Sequence, residues 1–250
     1  MPVDEPLYPV NLLLTGRSCL VVGGGRVAVG KVRGLVEAGA RVTVVAPEVD
    51  DRIVAMAAVG ADQPASTTGT PPRARSDRGP SERDEPEHGA PGGGRGTVVV
   101  ERRAYRPGEV ARHRLVIAAT GDPAVNQRVY DDGEAAGVWV NSADDPERCS
   151  VILPARVRQG RLTVTVSTAG HSPAVASWLR ARLADELGPE YDELIGLLSE
   201  AREEVRAQGH STEQLDWRAA LDSGILDLVR AGRLEDAKER LRACLSSSSD

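Results

Sequence analysis

Apolar positions fall into short runs in the first part of the chain and into helical stripes in the last. Leu12 to Leu14 is a short apolar run, and Thr15-Gly16 reads as a turn. Cys19 to Val22 is wholly apolar and is stopped by three glycines, which predicts a buried strand. Val32, Leu35 and Val36 recur at helical spacing within Val27 to Ala38, and Gly39 stands where a left-handed cap closes a helix. Arg41 to Val45 is β-branched and predicts the second strand, ended by Pro47, with a short helix at Asp51 to Val59. Further strands are expected at Thr97 to Glu101, Leu115 to Ala119 and Gly137 to Val140, with a helix at Val125 to Ala136. Strands that alternate with helices in this way predict a parallel sheet covered on both faces.

The rhythm changes after Cys149. Val151 to Pro154, Ala155 to Val157 and Leu162 to Ser167 read as strands joined by a tight turn at Gln159-Gly160. Ser172-Pro173 opens a helix, with serine as the cap and proline at the first helical position, and Val175, Leu179 and Leu183 continue it. Helices are then expected at Tyr191 to Gln208, Trp217 to Ala231 and Leu234 to Leu245. The fold class expected is α/β: a Rossmann-type parallel sheet, a small α+β region and a helical C-terminal module. Residues 1–145 form the first domain, 146–171 the central strands and 172–250 the helical domain. Residues 61–96 have no apolar periodicity and are expected to be a disordered insertion in the first domain.

Composition narrows the function classes. A net charge of -6 over 250 residues, with acids interleaved among the arginines of the insertion, excludes a polyanion-binding surface, so no nucleic acid partner is expected. Phe is absent and aromatics make up 3%, so Val, Leu and Ala must fill the core, as suits parallel α/β packing. The three cysteines, Cys19, Cys149 and Cys244, include no CxxC pair, so neither a disulfide scaffold nor a structural metal is expected. A reducing, cytoplasmic location fits best. The first ten residues lack the pattern of a secretory signal, and no apolar run is long enough to span a membrane.

The candidate chemistry begins at Val21-Val22-Gly23-Gly24-Gly25-Arg26-Val27-Ala28, between a strand and a helix. Gly23 permits a tight turn, Gly25 lets a pyrophosphate approach the helix N-terminus, and Ala28 lets the helix lie close to the strand. Gly23, Gly24, Gly25, Arg26, Val27, Ala46, Pro47 and Thr120 are the expected cofactor contacts, against a glycine-rich packing turn as the alternative. After the second strand the chain has Ala46-Pro47-Glu48; Glu48 stands late for a ribose ligand, and Arg41 precedes the strand, so the sequence leans to NAD over NADP. Two further loops should reach the same crevice. Thr120 to Pro123 with Asn126 is one, in which Asp122 reads more readily as a helix cap than as a ligand. Asn141 to Pro146 is the other, and Asp144 there is placed to act as a general base or to meet a cation. Ser167-Thr168-Ala169-Gly170-His171-Ser172 precedes a helix N-terminus and reads either as a carboxylate site or as a well-capped loop.

Taken together, these motifs resemble the precorrin-2 dehydrogenase/sirohydrochlorin ferrochelatase family, the siroheme synthase N-terminal module. The matching residues are Tyr8 to Val10, Cys19 to Ala28 with Lys31, Ala118 to Thr120, Val125-Asn126, Asn141 to Pro146 and Val166 to Pro173. The likeness covers Pro9 to about Gln208 apart from the insertion; the helices from about Ser211 lie beyond it. It implies NAD-dependent oxidation of precorrin-2 to sirohydrochlorin, with insertion of Fe²⁺ or Co²⁺ as a further activity of some members. The family's active-site aspartate falls on Asp144, which would also meet the metal transiently during chelation. The resemblance implies a tetrapyrrole site at Asn126, Asn141, Ser167, Thr168, His171 and Ser172, with Arg26, Lys31, Arg148, Arg156 and Arg158 available for the substrate's carboxylates. It also implies a homodimer joined through the 146–171 strands. The family's Asn-Val-x-Asp is Asn141-Ser142-Ala143-Asp144 here. No methyltransferase module follows, so the shorter form is expected. A chelatase acting on sirohydrochlorin and a non-enzymatic NAD sensor are the competing readings.

Overall fold

The computed structural model describes residues 6–61, 96–143, 145–213 and 215–246. Asp144 and residues 62–95, which make up nearly all of the expected insertion, lie outside them. The chain divides into two compact units, Met1–Leu153 and Pro154–Asp250.

The first unit is a five-stranded parallel sheet. Its elements run β1 Ser18–Val22, α1 Arg26–Glu37, β2 Arg41–Val45, α2 Asp51–Ala61, β3 Thr97–Glu101, β4 Leu115–Ala118, α3 Pro123–Ala136 and β5 Trp139–Ser142. The strand order is β3-β2-β1-β4-β5. Because successive side chains of a strand point to opposite faces, the apolar runs divide between two cores. Cys19, Val21, Val42, Val44 and Ile117 pack with Val29, Val32 and Leu35 of α1 on one face. Leu20, Val22, Val116, Ala118 and Val140 pack with Val129 of α3 on the other. A strand buried on both faces needs no polar alternation, which is why these segments read as continuous apolar runs. Each fully buried Val or Leu contributes roughly 1.5–3 kcal/mol.

Local signals set the helix ends. At the end of α1 the Gly39 N–H donates to Val36 O at 2.9 Å and the Ala40 N–H to Leu35 O at 3.0 Å, the paired bonds of a Schellman cap. Asp122 caps α3: one carboxylate oxygen accepts from the N–H groups of Ala124 at 2.8 Å and Val125 at 3.4 Å. A 3₁₀ turn at Glu109–Arg112 precedes β4, and no periodicity announced so short an element.

The second unit opens with an antiparallel hairpin, β6 Ala155–Gln159 and β7 Leu162–Val166. Val151 to Pro154, expected as a strand, forms none: the Val151 N–H bonds to Val140 O at 3.2 Å, and Val151 packs on the first unit's core. Helices α4 Pro173–Glu186 and α5 Glu190–Ala207 follow. The helix expected over Trp217 to Ala231 is broken into α6 Trp217–Ala220, a π-helical turn Leu221–Ile225 and α7 Leu226–Arg230. Gly224 sits there at φ 81°, outside helical geometry. With α8 Leu234–Ser246 these helices bury Leu194, Leu197, Ile225, Val229 and Leu241 in a core of their own. Among the described residues no helix is long and apolar enough to cross a membrane.

Candidate functional site

The strand order places β1 beside β4, with α1 covering one face and α3 the other. The crossovers reverse direction between these two strands, and in open α/β sheets ligands collect beyond the carboxyl ends at such a point. The strands end level there: Val22 pairs with Val45 and Ala118, and Ala118 with Ser142. One residue farther the ladder still holds. The Gly23 N–H donates to Val45 O at 2.9 Å, Ala119 N–H to Val22 O at 2.7 Å and Ala143 N–H to Ala118 O at 2.7 Å. Gly23, Ala46, Ala119 and Ala143 therefore line the edge as a row of small residues.

The three glycines of the turn are held to different degrees. Gly23 has φ +116°, and a Cβ there would lie 2.3 Å from the Ala119 carbonyl oxygen. A Cβ on Gly24 would lie 2.2 Å from the Glu48 carbonyl oxygen and 2.9 Å from Val49 Cα. Both are required by the protein's own packing. A Cβ on Gly25 would meet nothing within 4 Å, and Gly25 is exposed. Gly25 is also the N-cap of α1, with no side-chain cap bond and no acidic residue in the first turn. The first N–H groups of a helix have no intrahelical partner, and the dipole adds positive potential at that end. A helix end of this kind is a cradle that can take an anion. Arg26 and Val27 are exposed beside it, while Ala28 is fully buried and lets α1 lie close to the sheet.

At the end of β2, Ala46 is buried, and Pro47 and Glu48 are exposed. Glu48, which its place in the sequence marks as late, is brought back by the chain's turn so that its backbone lies against Gly24, and Asp50 N–H bonds to Gly24 O at 2.9 Å. Only that non-local contact reveals it; spacing along the chain carries no such signal.

At the end of β4, Thr120 and Asn126 hold each other. Thr120 N–H donates to Asn126 Oδ1 at 3.3 Å, the Thr120 hydroxyl lies 2.7 Å from the same oxygen, and Asn126 Nδ2 donates to Thr120 O at 3.1 Å. Asn126 is thus engaged in shaping the Thr120 turn.

At the end of β5, Asn141 and Ser142 are buried. Asn141 Nδ2 donates to Val151 O at 3.0 Å. Among the described residues Asn141 Oδ1 and Ser142 Oγ are buried without a hydrogen-bond partner, and buried polar atoms of this kind are rare. Beyond them Asp145 pairs with Arg148, whose Nε donates to Gln127 Oε1 on α3 at 2.5 Å. Arg148, expected among the groups for the substrate's carboxylates, is thus engaged with Asp145 and Gln127.

The remaining expected site residues belong to the second unit. Thr168 O accepts from His171 N–H at 2.8 Å, and Ser172 N–H donates to Thr168 Oγ1 at 3.2 Å. Ser167 Oγ accepts from Ala169 N–H at 3.4 Å, and Ser172 Oγ caps α4 by accepting from Val175 N–H at 3.3 Å. Ala169 lies at φ 48°, a left-handed position that costs a residue with a Cβ about 1–2 kcal/mol. Ser167, Thr168, His171 and Ser172 form one tight, self-bonded turn, with His171 exposed. His113, by contrast, is structural: its Nδ1 meets Ser18 Oγ at 2.9 Å. Among the described residues no three His, Cys, Asp or Glu are grouped so as to hold a metal ion.

The fold and the turn can be set beside known proteins. A family model described as putative NAD(P)-binding matches residues 10–155. The chain is 32% identical over 239 residues to the siroheme synthase of Nitrosococcus oceani, covering 95% of this chain and 43% of that protein. It is 33% identical over 242 residues to the siroheme synthase of Pseudomonas entomophila, covering 96% of this chain and 44% of that one. The chain thus spans less than half the length of these curated relatives. A solved structure titled SirC, precorrin-2 dehydrogenase superposes with a TM-score of 0.63 at 25% identity, covering 95% of this chain and 98% of that chain.

Proposed function

The chain belongs to the putative NAD(P)-binding family of the siroheme synthases and precorrin-2 dehydrogenases, and from that premise we propose that it oxidises precorrin-2 to sirohydrochlorin with NAD. The observation that carries this reading is the likeness to a precorrin-2 dehydrogenase over nearly the full length of both chains. The cradle at Gly25 supports the cofactor half of it, since among the described residues no packing contact calls for a glycine there.

The reaction removes two hydrogens from the macrocycle: precorrin-2 and NAD⁺ give sirohydrochlorin, NADH and a proton. When bound, NAD supplies the hydride acceptor. The first N–H groups of α1 and the turn Gly23 to Gly25 would hold its pyrophosphate, with Arg26, Val27, Ala46, Pro47 and Glu48 available to the rest of the cofactor. Thr120, set by Asn126, borders the other side of the crevice. The Asp144 carboxylate accepts the second hydrogen, which the macrocycle loses as a proton from another bond while the first leaves as hydride. Asn141 orients the loop that carries it, and Ser167, Thr168, His171 and Ser172 bind the tetrapyrrole's carboxylates. The chain works as a homodimer, and NAD is preferred over NADP because no cationic side chain stands directly after β2.

An anaerobic assay of the purified protein with precorrin-2 and either NAD or NADP tests this. The expected result is sirohydrochlorin absorbance rising with one NADH per macrocycle, lost in Asp144→Ala. Tight NAD binding with no conversion of precorrin-2 would overturn it in favour of a sensor. Adding Fe²⁺ or Co²⁺ to supplied sirohydrochlorin tests whether chelation follows; the siroheme synthase relatives support iron as the metal substrate.

A further inference from the structure

We propose that Cys149 is a positioning residue: its thiol ties together the two flanks of residue 144 and so sets where the proton-accepting loop stands. The inference rests on the reading of Asp144 given above.

Cys149 lies at the return of the loop, where it forms an antiparallel bridge with Asn141. The next residue fastens that return doubly, since Ser150 N–H donates to Val140 O at 2.9 Å and Ser150 Oγ accepts from Val140 N–H at 2.8 Å. From this anchored position Cys149 Sγ accepts from Ser142 N–H at 3.2 Å and lies 3.5 Å from Asn141 Nδ2. The S–H in turn has two carbonyl acceptors, Ser142 O at 3.4 Å and Asp145 O at 3.3 Å. Residues 141 and 142 precede the aspartate and residue 145 follows it, so one side chain touches both flanks.

Two features separate this arrangement from ordinary packing of a small apolar side chain. The sulfur contacts are polar, four in number, and converge on loop backbone and on Asn141. They also require the protonated form, because a thiolate facing two carbonyl oxygens would be repelled. Burial pushes the thiol above its ordinary range, which keeps the proton in place at neutral pH. The Arg148 strut from Asp145 to Gln127 of α3 fixes the outer end of the same loop. The sulfur fixes the inner end.

The test compares Cys149→Ser, which keeps a donor and an acceptor, with Cys149→Val, which fills the volume and keeps neither. Full-length variants are read for turnover of precorrin-2, for NAD affinity, and for amide exchange of the peptide spanning residues 140–150. Cys149→Val is expected to lose about 10- to 100-fold in kcat, the cost of a loop displaced by about an ångström, with NAD affinity unchanged and loop exchange accelerated. Cys149→Ser is expected to recover most of the turnover and the protection. Wild-type turnover and wild-type protection in Cys149→Val would overturn the proposal and leave Cys149 a packing residue. If the wild-type protein converts no precorrin-2, the functional reading fails, and the exchange comparison still decides whether the thiol holds the loop.

Discussion

A methyl group on Gly23 would land 2.3 Å from the Ala119 carbonyl oxygen, and the same group on Gly25 would meet nothing within 4 Å. Two single-atom changes in one turn should therefore fail in different ways. Gly23→Ala must move the β4 backbone and bear a left-handed φ, and is expected to lower stability by about 1–3 kcal/mol in urea unfolding. Gly25→Ala should leave stability within about 0.5 kcal/mol of wild type. It should weaken NAD by about 10-fold or more in calorimetry, about 1.4 kcal/mol of binding energy. Unchanged affinity in Gly25→Ala would return the turn to a purely structural role. The sequence could announce the three glycines, because strand, turn and helix are local. It could not say which glycines the protein's own packing requires, since Ala119 and Glu48 lie beyond the ends of β4 and β2 and reach the turn only through the fold.

Elements were legible where a local signal fixes them. Asp122-Pro123 and Ser172-Pro173 announce α3 and α4, and both side chains accept the capping bonds expected of them. Asp122→Ala is accordingly expected to cost about 1 kcal/mol of stability in urea unfolding, a typical capping energy. NAD affinity should be unchanged within twofold in the same calorimetric titration; a larger loss would make Asp122 a ligand as well as a cap. The break in the helix after Trp217 was not legible, because Ala220, Ile225, Leu228 and Val229 keep an apolar stripe going past Gly224 while the backbone does not. Nor was the fate of Val151 to Pro154. Its apolar residues suit a strand equally well, but Val151 finds its partner in Val140 of β5 rather than in a neighbouring hairpin strand.

For the molecule as a whole, the two units keep separate cores, and the first of them carries a pH-sensitive joint. His113 is half-buried before β4 and bonded to Ser18 at the start of β1. Burial is the main cause that lowers its pKa below the ordinary 6.5, with Glu109 opposing and Arg112 assisting. Below that value the unfolded chain binds the proton more readily than the folded one, so stability falls as pH drops through 6.5 and is full above it. Denaturant midpoints measured between about pH 5 and 8 should show this slope, and His113→Gln should flatten it. An identical slope in the variant would assign the effect to other groups.

The level ending of the strands has one more consequence. Since Val22, Val45, Ala118 and Ser142 finish side by side, the strand ends form a level threshold. A bulky side chain installed at Ala143 would crowd that threshold, whereas one at Ala119 would press into the core against which Ala119 packs. Each step from Ala to Val to Leu at position 143 would raise that obstruction by a known increment, so the threshold can serve as a gauge of how closely whatever crosses it skims the sheet.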